Sequence, residues 1–289
     1  MDINNLQTFL EVAKQESFSA ASDKLHLTQP AVSKRIAALE ASLETKLFDR
    51  IGGQVALTEA GRQLLPRARK VLEEMEDIRR SLSNLSGELG GTLTMGTSHH
   101  IGLRRLPPIL KQYVSRFPNV SLDIQFLGSE LACAEVAKGE LELAIVTLPS
   151  RPSANLQLVK LWDDPLQFVI SKDHPLAARR EVTLEELMQY PAVLTTAATY
   201  TREVLENVLT PRGLTIKTGL ATDYLETLMM MIDVGLGWGL LPETMLGDNR
   251  LKILTFPGIE ISRQLGAVTH RNRTLSNAAK MMLEISADR

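Results

Sequence analysis

The chain has 289 residues, a formal net charge of −2, 44% hydrophobic and 23% charged residues, which is the balance of a folded, water-soluble protein of about two domains. Cys133 is the only cysteine, so neither an intrachain disulfide nor a cysteine-cluster zinc site is available. No apolar run is long enough to span a bilayer, and the start, Met1-Asp2-Ile3-Asn4-Asn5, lacks the pattern of a signal peptide, so a cytoplasmic protein with no membrane partner is expected. Charge is not segregated. Residues 1–58 carry six basic and seven acidic side chains, and residues 59–87 carry six and five. Any nucleic-acid binding therefore has to come from local geometry.

In chain order, short helices come first. Ile3, Leu6, Phe9, Leu10 and Ala13 follow helical spacing, and Ser17 or Ser19 caps a second helix carrying Ala20, Ala21 and Leu25. Thr28 caps a third, with Pro30 in its first turn and Val32, Ile36, Leu39 and Leu43 as its buried stripe. Leu47 to Thr58 reads as a small hairpin around Gly52-Gly53. Thr58 then caps a long helix in which Leu64, Ala68, Val71, Met75, Ile78, Leu82 and Leu85 alternate steps of four and three. That narrow stripe suits one partner helix, so it is expected to dimerise the chain. Pro66 should bend or restart this helix, and Gly87, Gly90 and Gly91 end it in a flexible joint.

From Thr92 strands and helices alternate. A strand at Leu93–Met95, a helix from Leu106 to Phe117, a strand from Val120 to Phe126, a helix near Glu130–Lys138 and a strand at Leu141–Thr147 form a βαβαβ unit with a parallel sheet. A second α/β region opens with strands at Gln157–Trp162 and Leu166–Ser171. It continues with a capping box at Thr183 and Glu186, a strand at Pro191–Thr195 and a helix at Thr201–Leu209. A strand at Leu214–Thr218 and a helix opened by Asp223 and Glu226 follow. Then come a turn and strand ending at Pro242, a returning strand at Gln264–His270 and a final helix at Leu275–Ile285.

Several motifs fall in order at matching spacings: Leu6-Gln7-Thr8-Phe9; Ser17-Phe18-Ser19-Ala20-Ala21; Leu27-Thr28-Gln29-Pro30-Ala31-Val32-Ser33; Ile36-Ala37-Ala38-Leu39-Glu40; Leu47-Phe48-Asp49-Arg50; Leu57-Thr58-Glu59-Ala60-Gly61. This stretch resembles the winged helix-turn-helix domain of LysR-type transcriptional regulators. Leu106-Pro107, Phe117-Pro118, Gly139 with Leu141–Val146, and Gly235 to Pro242 resemble the effector domain of that family more weakly. The resemblance covers essentially the whole chain. It implies an α/β protein in three parts: a winged helix-turn-helix at 1–58, a linker helix at 59–87 and an effector domain at 88–289. The effector domain would be bilobed, like a periplasmic binding protein, with one lobe at about 92–162 plus 265–289 and the other at about 163–264.

The third helix then becomes the reader of the DNA major groove, with Thr28, Gln29, Pro30, Ala31, Ser33, Lys34 and Arg35 on or beside its exposed face and Arg50 reaching from the hairpin. Taken alone, the same residues would suit an ordinary solvated helix face. The expected operator is an imperfect palindrome, read by a homodimer that pairs into a dimer of dimers, with RNA polymerase as a further candidate partner. Residues just after strands should line the cleft between lobes: Thr97, Ser98, His99, Gly128, Ser129 and Thr147 from one, Thr195, Thr196, Thr199 and Thr222 from the other. They suit a small anionic or polar metabolite, although Ser and Thr also cap helices without any ligand. His26, His99, His100, His174 and His270 show no metal spacing, Cys133 reads as a buried inert thiol and Trp238 as packing near the hinge. No catalytic motif, metal site or cofactor loop is found. A cytoplasmic solute-binding protein, or an enzyme built on the α/β region, is the alternative reading.

Overall fold

The computed structural model describes residues 2–51, 54–86, 89–247 and 250–288, with backbone only at 50, 51, 54 and 86. The expected Gly52-Gly53 turn and the joint at Gly87 lie outside the described residues. The chain divides into two compact units, Met1–Ser86 and Gly87–Arg289.

The first unit begins with α1 (Ile3–Gln15), α2 (Phe18–Leu25) and α3 (Gln29–Leu43), capped by the side chains of Asp2, Ser17 and Thr28 in turn. Glu16, His26 and Glu44 close the three helices in the left-handed conformation, which lets each turn stay short. A hairpin of β1 (Phe48–Ile51) and β2 (Gln54–Leu57) follows, with Phe48 opposite Leu57 and Ile51 opposite Gln54. Leu6, Phe9, Val12, Phe18, Val32, Ile36, Leu39 and Phe48 form the core. The long helix α4 (Glu59–Ser86) runs through Pro66 as one element, so it does not restart there. Its first turns belong to this core, because Ala68 is fully buried in it and Leu64, Leu65 and Leu72 pack against it. Gly61 sits where a Cβ would strike the Leu47 carbonyl, so only glycine lets the helix start against the hairpin.

The second unit starts with β3 (Gly91–Thr97), α5 (His99–Arg104), α6 (Leu106–Arg116), β4 (Val120–Phe126), α7 (Ser129–Lys138) and β5 (Leu143–Thr147). Strands β4, β3 and β5 are parallel neighbours, as the alternating pattern predicts. The helix expected from Leu106 to Phe117 is α6, and the separate short helix α5 precedes it, the two broken at Arg105.

Two expected strands merge into one, β6 (Leu156–Ser171), which continues through Pro165. It is followed by α8 (Leu184–Leu187), β7 (Ala192–Leu194), α9 (Tyr200–Leu209), β8 (Thr218–Ala221), α10 (Leu225–Asp233), β9 (Gly239–Pro242), β10 (Leu251–Leu254), β11 (Ile261–His270) and α11 (Asn277–Ala287). Proline lacks an N–H, yet here it costs little. β11 flanks β6 on one side, and pairing with β9 on the other begins only at Leu166. β6 and β11 therefore pass together from one lobe into the other. Leu161, Trp162, Leu265 and Ala267 pack in the first lobe, and Leu166, Phe168, Ile170 and Ile261 in the second.

Two further expectations fail locally, and one strand was not expected. β8 starts at Thr218, where the strand was expected to end, because it pairs in parallel with β7 from Ala192 onward and leaves Leu214 and Ile216 to pack on the lobe core. Strand β10 carried no clear alternation. Trp238 is buried in the core of the second lobe, its indole N–H donating to the Tyr190 carbonyl, and not at the crossover.

Candidate DNA interface and ligand cleft

Helix α3 turns Val32, Ile36, Leu39 and Glu40 inward. Thr28, Gln29, Pro30 and Lys34 are exposed, while Ala31, Ser33 and Arg35 are half-buried. The Thr28 hydroxyl accepts from the Ala31 N–H, and Gln29 Nε2 donates to Ser33 Oγ one turn on. Arg35 does not simply point outward, since its Nη1 donates at 3.4 Å to the hydroxyl of buried Thr8 on α1. The Arg50 side chain lies outside the described residues; its backbone pairs with Val55 in the hairpin.

A tie missed by the sequence reading holds helix and hairpin together. Glu40 is 8% exposed; its Oε1 accepts from the Leu47 N–H at 2.9 Å and its Oε2 from Lys46 Nζ at 2.7 Å. Burial pushes its carboxyl up, but the bonds from Lys46 and Leu47 outweigh burial and hold it below the ordinary carboxylate range. A glutamate at a polar-looking helix position gives no hint in sequence of such a role.

The heptad stripe of α4 divides in two. Leu64 and Ala68 are used up in the helix-turn-helix core, and Met75 is half-buried. Val71, Ile78, Leu82 and Leu85 are 41%, 53%, 63% and 83% exposed, so an apolar ridge stands open along the second half of the helix.

In the second unit a cavity of about 490 Å³ opens between the lobes, a size suited to a small ligand. Ser98, His99, Gly128, Ser129 and Thr147 line it from one side, and Thr195, Thr196, Thr199 and Thr222 from the other. Thr97 does not. It is fully buried and its hydroxyl donates to the Ile145 carbonyl, because the residue that ends the strand turns inward and Ser98 is the first to reach the opening. Some of these hydroxyls have structural work: Ser129 Oγ accepts from the Thr147 N–H, and Thr199 caps α9 at Arg202. Helices α5, α7 and α10 begin with no side-chain cap, leaving first-turn N–H groups for other acceptors.

The lining also holds groups absent from the sequence-based set: His100, Phe126, Glu130, Thr201, Asp223, Tyr224 and Arg263 among them. Asp223 does not open α10 as expected; its carboxylate accepts from the N–H of Thr196. Glu130 reaches across the lobes to accept from the Tyr200 N–H at 2.6 Å. Where β6 and β11 cross, fully buried Asp164 takes Arg263 Nε at 2.8 Å, and Arg263 Nη1 donates to Thr201 Oγ1 at 2.7 Å. Arg263 and Asp164 lie far apart in sequence, so only the strand pairing brings them together.

The two adjacent histidines behave differently. His99 is exposed, its ring edge-on to Tyr224 at 5.5 Å. His100 is buried; burial and then the Arg263 charge push its pKa down to about 4, so it is neutral at pH 7. Cys133 is buried and its thiol is pushed up to about 11 by burial. A larger groove of about 750 Å³ lies on the outer face of the second lobe. Three of its four cations are engaged, Arg179 with Glu186, Arg212 with the Val208 carbonyl and Lys252 with the Ala177 carbonyl.

Comparison with known proteins agrees with this arrangement. Residues 3–62 match the model of the bacterial regulatory helix-turn-helix protein of the lysR family, and residues 86–289 match the LysR substrate binding domain. Over 108 residues the chain is 62% identical to an uncharacterized HTH-type transcriptional regulator of Azotobacter vinelandii, covering 37% of this chain and 75% of the relative. Over 283 residues it is 28% identical to the RuBisCO operon transcriptional regulator of Allochromatium vinosum, covering 96% and 93%. Full-length OxyR from Pseudomonas aeruginosa superposes with a TM-score of 0.74 at 23% identity, covering 99% of this chain and 94% of that one. Full-length CbnR complexed with its target DNA gives 0.66 at 17% identity, covering 100% and 99%. With a helix-turn-helix, a bilobed second unit and family matches over both, the chain belongs to the LysR family of transcriptional regulators.

Proposed function

We propose that this regulator binds operator DNA through α3 and that a small polar metabolite in the inter-lobe cleft modulates that binding or the promoter response. The observation that carries the sensing part is the cleft itself: hydroxyls and uncapped helix starts from two lobes face one cavity, and among the described residues only β6 and β11 run through both lobes. Closing such a cleft changes the lobe arrangement only if the ligand binds one arrangement more tightly. Thr28, Gln29, Pro30, Ala31, Ser33 and Lys34 form the DNA-facing end of α3 in this reading, and CbnR, which shares the fold, has been captured with its target DNA. The relatives are named as transcriptional regulators, which favours a regulator without catalytic activity, acting in the cytoplasm.

The open ridge of Val71, Ile78, Leu82 and Leu85 is the dimerisation surface in this reading, placing two copies of α3 on an imperfect palindrome. Further pairing of dimers and contact with RNA polymerase belong to the same reading. Footprinting on DNA upstream of the gene, with and without a metabolite library, tests the function. Protection of a palindromic site that shifts with one metabolite is expected; no protection at any site overturns it. Sedimentation of the double variant Ile78→Asp, Leu82→Asp tests the ridge, with a shift from dimer to monomer expected.

A further inference from the structure

Where the strands cross between the lobes, one side chain keeps a charge that the protein does not use up. Arg263, on β11, is 5% exposed and lines the inter-lobe cavity. Its Nε donates to Asp164 Oδ2 at 2.8 Å and its Nη1 to Thr201 Oγ1 at 2.7 Å, which fixes the plane of the guanidinium. Its third nitrogen, Nη2, has no acceptor among the described residues and is not sealed from solvent. A guanidinium stays charged at any working pH, so this nitrogen is a rigidly held cationic donor in the cavity wall.

Asp164 does not cancel that charge. It is shared with a second arginine, Arg105, whose Nη2 lies 3.7 Å from Oδ1, so two cations face one buried acid. A neighbouring wall group feels the excess: after burial, Arg263 lowers the pKa of His100 more than Asp164 raises it. Among the described residues Arg263 is the only lysine or arginine in the lining. The lining also carries two acids, Glu130 and Asp223, which already accept from the backbone N–H groups of Tyr200 and Thr196. One anionic group therefore has a cation to meet, and a second would meet only like charge.

We propose that Arg263 anchors a ligand bearing a single carboxylate, and that Glu130 and Asp223 exclude dicarboxylates from the cleft. This rests on the proposed ligand role of the cleft. Phe126 and Tyr224, 57% and 58% exposed at the same cavity, give a flat apolar surface for a ring or hydrocarbon part of the ligand.

Two matched sets of probes test this on the full-length protein by calorimetry: benzoate, benzamide and phthalate, and butyrate, butyramide and succinate. In at least one set the monocarboxylate should bind, with its amide and its dicarboxylate at least about 10-fold weaker. The double variant Asp164→Asn, Arg263→Gln removes both partners of the buried pair and leaves no orphaned charge between them, so it should fold. In it the preference for carboxylate over amide should disappear. A preference that survives, or an equal weakening of carboxylate and amide, overturns the anchor. Should the double variant fail to fold, Arg263→Lys keeps the charge and loses the planar fork, and should weaken the monocarboxylate by about 10-fold and leave the amide unchanged. An amide or dicarboxylate that binds as well as the monocarboxylate, with binding lost in Thr196→Trp, keeps the ligand cleft but overturns the anchor. Absence of binding by all six probes, or binding that Thr196→Trp leaves intact, overturns both.

Discussion

The two units each bury carboxylates, and they treat them differently. In the DNA-binding unit Glu40 is held by Lys46 and the Leu47 N–H, so it ties α3 to the hairpin. In the second unit fully buried Asp164 accepts from Arg263 through Oδ2 at the strand crossover, with its Oδ1 3.7 Å from Arg105, whereas Glu226, on α10, is partly exposed and makes no side-chain hydrogen bond among the described residues. A satisfied buried acid is a fastening.

Breaking the fastenings should give the largest effects. Asp164→Ala leaves Arg263 charged and buried, and should cost the second unit about 3–5 kcal/mol in chemical denaturation. Asp164 is fully buried and Arg263 5% exposed, so solvent screens the pair little. A loss no greater than that of a surface substitution would mean the crossover is held by strand pairing alone.

Glu40→Ala comes next. It orphans the buried Leu47 N–H and should cost the first unit about 1–3 kcal/mol. Its pH dependence has a definite sign. The folded carboxyl sits below its ordinary value of 4.5, so the unfolded chain takes up the proton first as pH falls. The stabilisation is complete above the ordinary value and is lost as pH drops through the lowered folded pKa. Stability measured between neutral pH and about pH 3 should therefore fall less steeply in Glu40→Gln than in the parent. Equal slopes would remove the assigned role.

The smallest effect concerns Cys133. With its thiol pushed up to about 11 and its side chain buried, alkylation at pH 8 should be far slower than that of a free cysteine. Rapid labelling of the native protein would contradict the buried placement.

The two units were also unequally legible in sequence. Helices α1 to α3 could be read because their apolar spacing, caps and turn residues agree locally: Ser17 and Thr28 cap where expected, and Val32, Ile36 and Leu39 turn inward. The division of the α4 stripe was not readable, since Ala68 and Val71 carry the same pattern while one packs on its own domain and the other stays open. The strands expected at Gln157–Trp162 and Leu166–Ser171 are one, because the lack of a pairing strand on one side at Pro165 lets β6 run on. In the cleft, short-range signals marked the residues after strands, such as Ser98 and Ser129, and the geometry excluded only Thr97. Arg263, Asp164, His100 and Glu226 could not be grouped from sequence, because pairing across 99 residues and across two lobes leaves no local signature.

The operator-binding reading depends on α3 being the element that meets DNA, and Lys34 is its exposed cation. Arg35 is partly engaged with Thr8, so Lys34→Ala is the cleaner probe. Operator binding by fluorescence anisotropy over a salt series tests it directly. The expected result is an affinity loss of about 10-fold or more, with the slope of log K against log salt reduced by about two, one phosphate contact per subunit of a dimer. An unchanged affinity and an unchanged salt slope would contradict the assignment of α3 as the DNA-binding helix.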